Sequence, residues 1–344
     1  MIFTLDVGSG TQDFLLFTNE NIRNCPKAVL PSQTSIIAKK IVNCNTDVYL
    51  YGYTMGGGPI KKAVVEHISK GFKVYSDRRA ALTFADNLKK VEKIGIKISE
   101  PKNDVLKIKT KDVDIEFFRS FLGSIGYELP DTFAIAVQDH GYSPNESNRI
   151  FRFKLFRRMI SRNAHISSFL FHHKKIPKEY NRMIDAANSI LDFVDGEVYV
   201  IDTVFAAVAG CAEDAKLPAL LISFGNSHTT AVVLNKDMEI VAILEHHTRI
   251  LRERGRKYVA ELFKRFLDGK IDNEYILNDG GHGCFIRELV ETRDIVCTGP
   301  NTWLSNYREV RGDPMVVGNI GMLRLLHEIG VVNYRKLKLG AIWR

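Results

Sequence analysis

What the chain has little of sets the first limits. Its five cysteines, at positions 25, 44, 211, 284 and 297, are odd in number and none is paired in C-x-x-C spacing. That pattern argues against a disulfide framework or a zinc ribbon and fits reduced thiols in a cytoplasmic protein. There is no C-x₃-C-x₂-C run, so no cysteine set suited to a radical iron–sulfur cluster. No apolar run approaches the roughly 18 residues of a membrane span. The best stretch, Val198 to Ala212, is broken by Asp202 and ends at Glu213. No basic region precedes an apolar stretch at the N-terminus, so no signal peptide is expected. Also absent are G-x₄-G-K-[ST], G-x-G-x-x-G after a strand, G-x-S-x-G and H-E-x-x-H, which removes support for P-loop, Rossmann, serine-hydrolase and zincin chemistry. Short repeats and low-complexity segments are missing too.

What remains is globular. Of 344 residues, 45% are apolar and 26% charged, and the length exceeds what one core usually holds, so two domains or one with an insertion are expected. Lys+Arg is 48 against Asp+Glu 40, a net charge of +8. That favours anionic partners. Spread over so large a surface, it is weak evidence for nucleic acid, an unlikely partner, and phosphorylated small molecules satisfy it equally well.

The pattern along the chain begins with Ile2 to Leu5 and Phe14 to Phe17, two strands joined by the acidic, glycine-rich turn Asp6-Val7-Gly8-Ser9-Gly10-Thr11-Gln12-Asp13. Val48 to Tyr53 is a strand ending in Gly56-Gly57-Gly58, and Pro59 suits the first turn of a helix. Periodicity predicts helices over 77–94, 114–125, 149–162, 178–193, 202–214, 256–267 and 314–329. Strands are predicted at 96–98, 105–108, 133–137, 197–201, 219–224, 231–234, 238–245 and 275–277. A second hairpin, with the tip Gly225-Asn226-Ser227-His228-Thr229-Thr230, gives the chain a coarse doubling.

Hairpin tips that cradle phosphate need glycine for close backbone approach, N–H groups, a hydroxyl, and often a carboxylate for a metal. D-x-G-x-G-T at residues 6–11 has all of these, although an ordinary hairpin turn has the same composition. The order of the later motifs adds weight: D-T-V-F-A-A-V-A-G from 202, L-L-I-S-F-G-N-S-H-T-T from 220, G-G-H-G from 280 and D-P-M-V-V-G-N-I-G from 313. Together they resemble the actin-like ATPase superfamily of sugar and acetate kinases and large heat-shock chaperones, over the first 18 residues and most of 197–326.

The resemblance implies an α/β, two-domain actin-like (ribonuclease H-like) fold, with mixed sheets flanked by helices and a nucleotide cleft between the domains. It implies ATP and Mg²⁺ as cofactors. Asp6 would hold Mg²⁺ through water, with Gly8, Gly10 and Thr11 as the first phosphate loop. Gly225, Asn226, Ser227 and Thr229 would form the second, and Gly280 and Gly281 the adenosine loop. The helix from Asp202 through Ala206–Gly210, and Gly318 with Gly321, would be connecting helices packed closely on glycine. The expected domains are 1–200, with an insertion at about 56–130, and 201–330, with a last helix at about 314–329 packing back to the cleft. A basic tail, 331–344, carries Arg335, Lys336 and Lys338. Two departures stand out: Ser223 takes the place of an acidic residue that usually opens the second loop, and His228 stands where threonine is commoner. The phrases DVGSGTQD, GGGP, AVQDHG, EHHT and DGGHG also resemble a narrower family with the inherited label "pyruvate formate-lyase activating enzyme". The residues do not support that label as a mechanism.

Other candidates remain open. Gly57 and Gly58, at a helix N-terminus, suit an anion or a tight turn. Asp139 with His140 follows a buried strand, where a general base or a capping carboxylate would sit. Asp202 is a competing base or an N-cap. Adjacent histidines on a strand point to opposite faces, so the pairs His246–His247 and His172–His173 do not easily chelate one metal. His140, His246 or His247, and His282 are the set that would converge on one, or would simply line a polar site. The helix 149–162 has Phe151, Leu155, Phe156, Met159 and Ile160 on its apolar side, with its arginines, Arg152 among them, set to be solvated or salt-bridged, to meet an acidic substrate or partner protein, or, least favoured, to bind nucleic acid. Mg-ATP-dependent phosphoryl transfer to a small anionic acceptor is the leading expectation, with Asp139 or Asp202 activating the acceptor. A nucleotide-dependent switch acting on a partner protein is the alternative. No membrane partner is expected.

Overall fold

The computed structural model of the chain describes residues 1–18, 21–102 and 104–332. All but the first two residues of the expected basic tail lie outside these.

In chain order, β1 (Ile2–Val7) and β2 (Thr11–Phe17) form a hairpin that is almost wholly buried, as the apolar runs require. β3 (Lys27–Pro31) leads into α1 (Gln33–Val42), which Ser32 caps by accepting from the Ser35 N–H. β4 (Val48–Gly52) precedes α2 (Gly58–Ser69), and β5 (Val74–Ser76) follows. The helix expected over 77–94 divides into α3 (Arg78–Ala81) and α4 (Leu88–Ile94), because Asp77 and Asn87 each cap a new start. β6 (Ile96–Ile98), β7 (Leu106–Thr110), α5 (Ile115–Ser124) and β8 (Thr132–Val137) come next, then α6 (Asn148–Arg162) and β9 (Phe171–His172). α7 (Asn181–Leu191), β10 (Glu197–Ile201) and α8 (Thr203–Ala212) precede the second hairpin, β11 (Ala219–Phe224) with β12 (His228–Leu234). β13 (Ile240–His247) runs into α9 (Thr248–Leu267), interrupted at Gly255, whose φ is 81°. The expected strand 275–277 is instead α10 (Asn273–Asn278), started by the Asp272 carboxylate accepting from the Tyr275 N–H. β14 (Gly283–Ile286), β15 (Asp294–Thr298), β16 (Arg308–Glu309) and α11 (Val317–Glu328) complete the chain.

Two six-stranded sheets have the orders β3-β2-β1-β8-β10-β9 and β14-β13-β12-β11-β15-β16. In each, the first hairpin strand pairs in parallel with a later strand, β1 with β8 and β11 with β15. The doubling read in the sequence is therefore a repeated topology, and the fold is an α/β arrangement of mixed sheets flanked by helices. A third sheet, β6-β5-β4-β7, is wholly parallel and built from residues 48–110.

The chain forms two compact units: one comprises Met1–Phe14, Ala28–Ser147 and His172–Val200, the other Leu15–Lys27, Asn148–Phe171 and the chain from Ile201. The first has a phenylalanine cluster, Phe3, Phe14, Phe118 and Phe133, and a separate core of Val48, Leu50, Ile60, Val64, Val74 and Ile108 around the third sheet. The second packs Leu220, Ile222, Phe224 and Leu244 against Val259 and Phe263 of α9. In that unit α8 and α11 touch through glycine: a Cβ on Gly210 would lie 2.1 Å from the Val317 carbonyl oxygen, and one on Gly321 would lie 1.9 Å from that of Ala206. Among the described residues no helix is long and apolar enough to cross a membrane.

Candidate functional site

The two hairpin tips are built alike. Gly8 donates its N–H to the Thr11 carbonyl at 2.9 Å, and Gly225 donates to the His228 carbonyl at 3.0 Å. The next anchor repeats as well: Ser32 N–H, at the start of α1, bonds the Gly10 carbonyl at 3.1 Å, and Thr248 N–H, at the start of α9, bonds the Ser227 carbonyl at 3.0 Å. Gly8, Ser9 and Gly10 thus correspond to Gly225, Asn226 and Ser227, Thr11 to His228, and Asp6 to Ser223. Gly8, Ser9, Gly10, Asn226 and Ser227 are exposed, whereas Asp6 and Thr11 are half-buried. Glycine opens both turns for close approach, since a Cβ would meet the Thr11 carbonyl at 3.2 Å or the His228 carbonyl at 2.8 Å. Side-chain donors pin both tips. The Ser9 carbonyl accepts from Ser32 Oγ and Ser35 Oγ, and the Gly225 carbonyl from Thr248 Oγ1 and Asn301 Nδ2. Thr229 is buried, and its Oγ1 lies 3.0 Å from Thr248 Oγ1.

Parallel pairing carries the turn after β8 to the same sheet edge as the first tip, with Asp6 opposite Ala136 and Val7 opposite Val137. Asp139 and His140 therefore lie beside the Asp6 loop. Asp139 is buried, and both its oxygens accept backbone N–H groups, from Gly141 at 2.8 Å and Met183 at 2.9 Å. By register its counterpart in the second unit is Asn301. At the start of α2, a Cβ on Gly57 would lie 2.1 Å from the Thr83 carbonyl oxygen, whereas Gly58 faces open space. Arg182 lies beside Gly56 and is held by Asp112 and the Gln138 carbonyl.

Asp202 and the histidines meet around one arginine of the basic helix, which is salt-bridged, as one sequence reading allowed, but buried. Arg152 of α6 is fully buried. It forks onto Asp202 through Nη1 at 2.6 Å and Nη2 at 3.0 Å, and its Nε reaches Glu245 at 2.9 Å. Asp202 also caps α8 by accepting from the Val204 N–H. Burial works against the Glu245 charge, but Arg152 outweighs it and holds that carboxyl well below the usual range.

Glu245 lies two residues before His247 on β13, and β12 pairs alongside with Thr230 opposite Glu245 and His228 opposite His247. His282, just before β14, is tied in by its N–H to the Glu245 carbonyl at 2.8 Å. The three rings gather: centroids lie 4.4 Å apart for His228–His282, 4.6 Å for His247–His282 and 5.2 Å for His228–His247. Burial pushes His228 down to about 4 and His282 to about 3, so both are neutral near pH 7. The convergent set is thus His228, His247 and His282. His246 points to the other face, as strand alternation requires, and its Nε2 lies 3.1 Å from Asp279. His140 belongs to the first unit.

Asp279 organises the glycine loop after α10. It also binds Tyr258 and, at 2.5 Å, Arg254. The space a Cβ would take at Gly281 is filled by Ile276 and His246, and Gly280 has φ 87°. Glycine is needed at both positions by packing and backbone conformation.

The profile of the family described as "Putative pyruvate format-lyase activating enzyme (DUF1786)" matches residues 55–304, more than half of the chain. The chain belongs to that family. No curated protein matches it. Among solved structures it is similar to the activator of the 2-hydroxyisocaproyl-CoA dehydratase from Clostridium difficile with bound ADPNP, at 9% identity and TM-score 0.36, covering 96% of this chain and 98% of that one. It is similar also to the ethanolamine utilization protein EutJ from Carboxydothermus hydrogenoformans, at 10% identity and TM-score 0.34, covering 94% and 89%. Likeness this loose carries no functional weight. As for the family's description, all five cysteines are buried, and among the described residues neither group of side chains placed to hold a metal contains one.

The sequence reading did not single out Arg152 among the arginines of its helix, and it missed Glu245, Thr248 and Asn301. Only Thr248 and Asn301 had a local signal, each being a polar residue just beyond an apolar strand.

Proposed function

We propose that the chain binds Mg-ATP through phosphate-holding hairpin tips and uses the nucleotide as a switch acting on a partner protein. The observation that carries the proposal is the repeated tip: the same two backbone bonds, the same glycine, and exposed residues between them. Gly8, Gly10 and Thr11 in one unit and Gly225, Asn226 and Ser227 in the other would offer N–H groups and hydroxyls to phosphate oxygens. Asp6, half-buried at the end of β1, would hold Mg²⁺ through water, and the bound ion would neutralise phosphate charge. The Ser223 counterpart of Asp6 leaves the second tip without a carboxylate, which fits slow hydrolysis.

The switch is preferred because the two aspartates expected to activate an acceptor are already engaged, Asp139 by backbone N–H groups and Asp202 by Arg152. Phosphoryl transfer to a small anionic acceptor is the second reading. It is favoured by His140, which is half-buried at the same sheet edge as Asp6 and would serve as the base.

Thermal unfolding with Mg-ATP and Mg-ADP tests the proposal. A ligand at 100 times its Kd stabilises by about 2.7 kcal/mol, or roughly 5–10 °C for domains of this size. The expected result is such a rise in the parent and none in Asp6→Ala. No rise with either nucleotide overturns the proposal. ATP turnover stimulated by a metabolite rather than by a protein would favour the second reading.

A further inference from the structure

The three imidazoles of the second unit have no part in the nucleotide chemistry proposed above. They sit at the ends of three neighbouring strands, where the ladder fixes their positions: His228 is the cross-strand partner of His247, and His282 is tethered through its backbone to Glu245. One ligand nitrogen from each lies within 4.8 Å of the others. A tetrahedral ion with metal–nitrogen bonds of about 2.0–2.1 Å sets its ligand nitrogens roughly 3.3 Å apart. Rotation of the rings on their strand-fixed backbones is the movement that would close that gap.

We propose that His228, His247 and His282 form a binding site for a first-row divalent metal ion, zinc being the best fit, with Glu245 as its outer carboxylate. An all-imidazole donor set selects zinc, iron, nickel or copper over magnesium, so this site is distinct from any Mg²⁺ at Asp6. Three protein ligands leave a coordination position for water or another oxygen ligand, the arrangement of reactive rather than purely structural zinc sites.

The surroundings also supply the carboxylate such a site uses. Arg152 is a buried positive charge set between two buried carboxylates, Asp202 and Glu245. Glu245 Oε2 lies 3.4 Å from His282 Nδ1. A small turn of the ring would make the hydrogen bond by which an outer carboxylate orients a ligating ring, leaving Nε2 for the metal. Glu245 is itself fixed by Arg152 and by Thr230 Oγ1 at 3.3 Å. The other candidate group, His172, His173 and Glu197 in the first unit, is built differently. There Glu197 is exposed and bonded to His172, and His173 Nδ1 faces the Val198 N–H.

The test uses the full chain, freed of metal by a chelator and titrated with Co²⁺ and then Zn²⁺ in the absence of nucleotide. The expected result is one equivalent of Co²⁺ with visible d–d bands, displaced by Zn²⁺, and zinc-edge X-ray absorption showing three imidazole neighbours in the parent. Each of His228→Gln, His247→Gln and His282→Gln should lose the bands, and Glu245→Gln should weaken binding about 10–100-fold. The double variant His172→Gln/His173→Gln should keep both stoichiometry and bands. The proposal is overturned if the parent binds no stoichiometric Co²⁺, if the absorption spectrum shows fewer than three imidazoles, or if the His172/His173 variant abolishes binding. The absorption measurement requires no variant, so misfolding of a histidine variant does not obscure the outcome. Because nucleotide is left out, failure here leaves the Mg-ATP reading to its own test.

Discussion

Arg152 and Asp202 face each other as fork to fork, with two N–H···O bonds of 2.6 and 3.0 Å and both side chains buried. One pair thereby ties the middle of α6 to the first turn of α8. The same guanidinium continues to Glu245 on β13, so a helix, a helix cap and a strand share one buried cation. An aspartate committed in this way is an anchor, and its carboxylate is ill placed to take a proton from a substrate.

Arg152→Met is expected to destabilise the protein by about 3–5 kcal/mol. The methionine fills similar space, but it leaves Asp202 and Glu245 buried together with no positive charge between them. Adding Asp202→Asn and Glu245→Gln should recover a large part of the loss, because no uncompensated charge then remains. Urea unfolding of the single and triple variants measures both effects. A single variant as stable as the parent would show that the three groups do not form one electrostatic unit.

Asp139→Asn is expected to lower stability by about 1–3 kcal/mol. Its new amide nitrogen cannot accept either the Gly141 or the Met183 N–H, so a buried donor goes unsatisfied. Thermal unfolding gives the answer directly. An unchanged melting temperature combined with lost ATP turnover would instead make Asp139 the base.

Both outcomes bear on what could be read from the residues. The hairpin tips were legible because a glycine tip is local: Gly8 and Gly225 shape their turns with neighbours three residues away. The glycine contact of α8 with α11 was legible through its resemblance to known connecting helices. Tyr275-Ile276-Leu277 was misread because three apolar residues carry no period, and the deciding signal was the Asp272 cap before them. Of the histidine group, His247 and His282 were named as converging, but His228 was hidden because its place depends on register. His228 faces His247 only through the β12–β13 ladder, and nothing nearby in sequence marks that partner. Arg152 was hidden for a related reason. On a helix with so many cations, only the carboxylates brought by α8 and β13 show which one is buried.

The histidines also predict a pH response in metal-free protein. His228 and His282 ordinarily titrate near 6.5, and burial lowers them to about 4 and 3 in the folded chain. Below pH 6.5 the unfolded chain therefore binds more protons than the folded one. Their contribution is fully present above pH 6.5 and is lost as pH falls toward 4 and then 3. Denaturant unfolding with chelator across this window should show the decline. His228→Gln/His282→Gln should flatten it, and an equally steep profile in that variant would assign the decline to other groups.

The last expectation concerns where glycine is required. On Gly321 a Cβ would come within 1.9 Å of the Ala206 carbonyl oxygen and 2.7 Å of the Gly210 nitrogen, and both obstacles are backbone. No rotamer change relieves such a contact. Gly321→Ala must push α11 away from α8, opening the Ile320, Met322 and Leu323 layer around it, and should cost about 1–3 kcal/mol or more. Gly123 offers the matched control: it lies near the end of α5, it is exposed, and a Cβ there meets nothing within 4 Å. Gly123→Ala should stabilise by about 0.4–1 kcal/mol, because alanine has less backbone freedom to lose on folding. Urea unfolding of both variants compares one chemical change in two settings. Opposite signs are expected, and equal effects would mean that α8 and α11 do not approach as closely as the glycines allow.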